Sequence, residues 1–132
     1  DYADAYFNLG HVALLIDGAR AAAPHFRRAA ALKPDWVVAS ISAAWLLATT
    51  AESDVRAPFE AAQLAERAAQ LTGRADPRVL DTLAVAYAAS GRFDEAVRVA
   101  REALAVAGGP LEQDIALRLA MFERGEAFVD KR

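Results

Sequence analysis

Asp1-Tyr2-Ala3-Asp4-Ala5-Tyr6 and Asp35-Trp36-Val37-Val38-Ala39-Ser40 lie 34 residues apart, and each opens an alanine-rich stretch of helical character. That spacing is the period of a helix-turn-helix solenoid. One helix pair cannot bury its apolar face alone, so neighbouring pairs stack into a continuous core and leave an extended surface for binding. The self-match therefore predicts an all-α scaffold.

Outward from this match, glycine and proline divide the chain into seven expected helical segments, at residues 3–16, 20–32, 36–51, 58–72, 77–90, 93–107 and 111–124. None alternates like a strand. Lys33-Pro34 stops the second segment, because the residue before proline is pushed out of the α region. Ser90-Gly91 supplies a glycine where a left-handed C-cap is wanted. Asp76-Pro77 reads as an N-cap followed by proline in the first turn, and Gly109-Pro110 opens the last segment in a similar way. Asp94 and Glu95 place negative charge in the first turn of the sixth segment, where the helix dipole favours it. Two irregularities stand out. Pro24 falls early in the second segment, which predicts a late start or a kink. Residues 49–57 make a connection longer than the tight turn at Asp17-Gly18, with a turn or short helical piece at Ser53-Asp54.

With 132 residues and 55% apolar content the chain is long enough for one domain with a real core. A net charge of −3 and a pI near 5.4 argue against nucleic acid or an anionic membrane as the main target. Arg20, Arg27, Arg28 and Lys33 form a local basic group on one segment, expected on a solvated outer face. The absence of cysteine removes disulfides, thiol nucleophiles and cysteine-bound metals. No stretch approaches the ~20 apolar residues of a membrane span. This segment is therefore expected to be soluble without direct membrane contact, in a cytoplasmic or periplasmic setting, whether or not it is joined to a membrane protein.

The pattern resembles the tetratricopeptide repeat family. Tyr6, Leu9 and Gly10 stand at that family's large, leucine and small sites in a first helix, and Ala22, Phe26, Ala29 and Pro34 follow in a second; Ala13 departs from the usual tyrosine. Leu83, Ala84, Tyr87, Gly91, Ala96 and Ala103 carry a further match, with Ala100 in place of the usual aromatic. Ala43, Ala44, Leu47, Ala61, Ala65, Ala68 and Leu71 carry a looser one. The resemblance implies a right-handed superhelical stack: repeat one at 1–34, repeat two at 35–75 with an insertion at 49–57, repeat three at 76–109, and a capping helix and tail at 110–132. The runs 44–49, 68–73 and 81–88, with the ending Phe122-Glu123-Arg124-Gly125, are similar to the terminal repeat block of large bacterial proteins, several of which carry a membrane-bound glycosyltransferase-like region. Glu126-Ala127 departs from the arginine-proline usual after that ending. Because Asp1 aligns with the residue after repeat-closing Pro34, the chain is expected to be a piece of a longer array.

In this family the first helix of each pair lines the concave groove. That carries the ligand-facing role onto Phe7, His11 and Leu14, then Val38, Ile41 and Trp45, then Arg78, Asp81, Thr82 and Val85. Phe7 and Trp45 suit a packed core as well as a ligand contact, a lone His11 is commonly a surface or packed residue, and His25 is expected on the outer face. Arg78 and Asp81, three apart, can pair with each other. Family members that clamp a C-terminal carboxylate use lysine, arginine and asparagine at sites that here hold Phe7, His11, Ser42, Arg78 and Thr82, so only Arg78 suits that mode. No zinc-binding His-Glu-x-x-His, phosphate loop or nucleophile elbow is present, and the two histidines have no acidic cluster beside them. The expected function is non-catalytic binding of a protein or peptide, with no cofactor, no metal and no nucleic acid. An apolar segment or amphipathic helix is the expected ligand. The alternatives are a structural module that self-associates through an open N-terminal face into a homo-oligomer, and a regulatory tail of a larger enzyme such as a glycosyltransferase.

Overall fold

The computed structural model describes residues 1–130; residues 131 and 132, the end of the expected tail, lie outside the described residues. Seven helices follow one another: α1 (Tyr2–Ile16), α2 (Ala19–Leu32), α3 (Val37–Thr49), α4 (Pro58–Leu71), α5 (Pro77–Ala89), α6 (Phe93–Val106) and α7 (Gly109–Glu123). The described residues hold no named strand, only an isolated parallel bridge between Thr50 and Asp130. α1 packs on α2, α3 on α4 and α5 on α6, while α2 meets α3, α4 meets α5, and α3 also lies against α5. α7 packs against α6 and α5.

Local chemistry accounts for several helix ends. The Asp1 carboxylate accepts from the Ala3 and Asp4 amides at 2.7 and 3.4 Å, and Asp76 accepts from the Arg78 amide at 3.0 Å with Pro77 in the first turn. Each satisfies amides that the first helical turn leaves unpaired. Gly91 holds the left-handed φ of +79° expected where α5 ends. The late start expected at Pro24 does not occur, for α2 starts at Ala19, ahead of it, and runs on to Leu32. The ring removes one amide donor, but Ala22, Ala23, Phe26, Ala29 and Ala30 on the same helix are buried, and that packing outweighs the local propensity. α3 ends at Thr49, two residues before its expected limit, and the connection then turns as Val55 and Arg56 both donate to the Glu52 carbonyl at 3.0 Å.

Alanine is what lets the second helices approach. Ala61, Ala62, Ala65, Ala68 and Ala69 of α4 are all buried, so its backbone sits close to its neighbours, while Phe26, Leu47, Leu80, Leu83, Ile115 and Phe122 fill the space between layers. α5 is the centre of the molecule. With α3, α4, α6 and α7 packed around it, residues 79–88 are all buried. Its Tyr87 donates to Glu66 of α4 at 2.7 Å, and burial with that contact pushes the phenol up to about 12. The basic side chains of the second segment are spent within the fold: Arg27 forks onto Glu60, Arg20 reaches Asp54, Lys33 meets Asp1, and Arg28 lies over the Tyr6 ring.

Candidate functional site

A cavity of about 760 Å³ opens between α1, α3 and α5. Its walls come from residues that recur on one helical face: His11, Leu14 and Leu15 of α1; Ile41, Ser42, Trp45 and Thr49 of α3; Arg78, Asp81 and Thr82 of α5. Gly18, Ala19 and Phe26 contribute from the α1–α2 corner, and Leu46, Thr50 and Asp130 complete the lining. A volume of this size suits a ligand site, and its lining is mainly apolar.

Of the ten residues expected to face a ligand, His11, Leu14, Ile41, Trp45, Arg78, Asp81 and Thr82 line this one space. Phe7, Val38 and Val85 do not. Phe7 sits among the rings of His11, Phe26 and Trp36 at centroid distances of 4.5, 5.7 and 4.8 Å, an aromatic cluster that ties α1 and α2 to the start of α3. Val38 is exposed but lies outside the cavity lining. Val85 is a correction: fully buried and absent from the lining, it is a core residue, because the helices packed around α5 cover the turn beyond Asp81 and Thr82. His25 is half-buried, stacked with Tyr6 at 6.3 Å and outside the cavity lining.

The polar wall is largely committed. Asp81, 4% exposed, does not pair with Arg78; Arg118 of α7 forks onto it, Nε donating to Oδ1 at 2.9 Å and Nη2 to Oδ2 at 2.6 Å. Burial pushes the Asp81 carboxyl up, and the Arg118 contact opposes that shift. Thr82 donates back to the Arg78 carbonyl at 2.9 Å and Thr49 to the Trp45 carbonyl at 2.7 Å, as helical threonines do. Arg78 is exposed, and its guanidinium has no ion-pair partner among the described residues.

One part of the site has no local signal in the sequence. After α7 the chain turns at Gly125 and returns to α3, where the Phe128 ring meets Trp45 at 5.7 Å. The Arg118 guanidinium stands 5.3 Å from both ring centroids, and the Asp130 amide donates to the Thr49 carbonyl at 2.7 Å. Among the described residues no cluster of three or more histidine, aspartate or glutamate side chains could hold a metal ion, and no helix is long and apolar enough to cross a membrane.

Residues 77–122, from the start of α5 almost to the end of α7, match the family model of the tetratricopeptide repeat. That segment carries the pattern of this repeat. Its fold is likewise that of the solved MamA protein, with a TM-score of 0.62 at 24% identity over 87% of this chain. The chain spans 57% of the MamA chain it matches. No curated protein matches the sequence. Solenoids of stacked helix pairs present an extended concave surface of the kind used to bind other proteins.

Proposed function

We propose that this tetratricopeptide repeat chain is a non-catalytic interaction module that binds a peptide or protein segment in the groove between α1, α3 and α5. The observation that carries the reading is the convergence of Leu14, Ile41 and Trp45 from two helices on one apolar cavity, with the exposed cation Arg78, which has no ion-pair partner among the described residues, at its edge. An apolar or amphipathic segment bearing an acidic group is the ligand this wall suits: apolar contacts supply affinity, and the acidic group sets orientation against Arg78. Asp81 takes no direct part, since Arg118 already holds both its oxygens.

The test is capture from lysate by the chain itself and by a Leu14→Glu, Ile41→Glu double variant, with helicity followed by circular dichroism. Phe7 is left unaltered because its ring supports α1. A partner retained by the parent chain and lost by a still-helical variant is the expected result. Equal capture by both, or none by either, sinks the groove reading.

A second reading rests on a different surface. α1 leaves Leu9, Val12 and Ile16 exposed, at 48%, 52% and 73%. Such a face suits self-association or the stacking of another helix pair.

A further inference from the structure

The α3–α7 end of the groove already holds a peptide segment, supplied by the chain itself. The turn beyond α7 is fixed by the Glu126 amide donating to the Met121 carbonyl at 2.9 Å and by Gly125 at a φ of +72°. From there residues 127–130 run along α3 in its own direction, with Phe128 beside Trp45 and Asp130 beside Thr49 and Thr50. Arg118 flanks both rings, and because Asp81 grips its guanidinium this slot is set by α3, α5 and α7 without help from the tail.

We propose that this slot is a binding subsite for an extended segment with one aromatic side chain, filled in cis by residues 127–130 and opened to a partner segment of the same chemistry when the tail leaves. The recognition has two parts. The aromatic ring stacks against Trp45 and the Arg118 cation, and a backbone amide two residues on donates to Thr49, a contact that any non-proline residue can make. The tether from Gly125 is short, so the tail acts at an effective concentration on the order of millimolar and lowers the apparent affinity of a competing segment in proportion. The role of the slot in partner exchange rests on the groove reading above; the slot itself does not.

The experiment uses the full chain and, as probe, a fluorescent peptide with the sequence of residues 125–130, followed by anisotropy. The peptide is expected to bind the Phe128→Ala chain at least tenfold more tightly than the unaltered chain, and a peptide with alanine in place of the phenylalanine is expected not to bind. Should Phe128→Ala lose helicity, Asp130→Pro, which removes the amide given to Thr49, must likewise strengthen binding in trans. Leu14→Glu in the Phe128→Ala chain, across the cavity on α1, is expected to leave peptide binding unchanged, so failure of the slot and failure of the wider groove are separately visible. Equal binding to both chains, no binding to either tail variant, or loss of binding on Leu14→Glu would overturn the assignment.

Discussion

Gly10 shows how much a single position controls here. A Cβ built on it would stand 2.8 Å from Cδ1 and Cε1 of Phe26, closer than real contacts allow. Phe26 is 2% exposed and has the rings of Phe7 and His11 against it, so it has little room to retreat. Glycine to alanine inside a helix ordinarily gains about 1 kcal/mol, whereas overpacking a filled core costs about 1–3 kcal/mol. The clash is expected to win: Gly10→Ala should lower the urea-unfolding free energy by ~1–2 kcal/mol, and an unchanged or raised midpoint would contradict the close approach. The need for a small residue at Gly10 was legible from the repeat pattern. That the atom it spares belongs to Phe26 was not, since the contact joins two helices.

Between elements, Asp81 and Arg118 join α5 to α7. Their side chains are 6% and 12% exposed, so each carries a desolvation cost that the other relieves. Removing one charge from such a pair costs about 3–5 kcal/mol, while replacing both with apolar residues of similar size is often neutral or stabilising. Asp81→Ala and Arg118→Ala are thus each expected to destabilise by ~3 kcal/mol or more, with Asp81→Leu, Arg118→Met close to the parent in thermal unfolding. Simple additivity of the two single losses in that double variant would argue against coupling of the helices through this pair. Sequence spacing pointed instead to Arg78, one turn away on the same helix. A helical neighbour is visible in the spacing, whereas a partner 37 positions on is selected only once α7 has packed across α5.

At the scale of the whole molecule, the two ends of the stack differ. α7 covers the last pair and sends its tail back to α3, whereas α1 packs chiefly on α2 and leaves Val12 and Ile16 to solvent. An uncovered face of this kind is expected to give a mass that rises with concentration in sedimentation equilibrium, and a Val12→Lys, Ile16→Lys variant should remain monomeric. Concentration-dependent mass that survives both lysines would move the contact to another face. The sequence by itself determined the helices and their order, because the 34-residue self-match, the buried alanines, and the caps at Asp1, Asp76 and Gly91 act over one or two turns. The family resemblance, carried over residue by residue, also pointed to Leu14, Ile41, Trp45 and Arg78, which line one cavity. Only the tertiary structure decided that α2 runs unbroken past Pro24, that Val85 is core, that Asp81 belongs to Arg118, and that Phe128 packs against Trp45. Each of these depends on which helices stand on either side of a residue, and stacking sets that through contacts far apart in the chain.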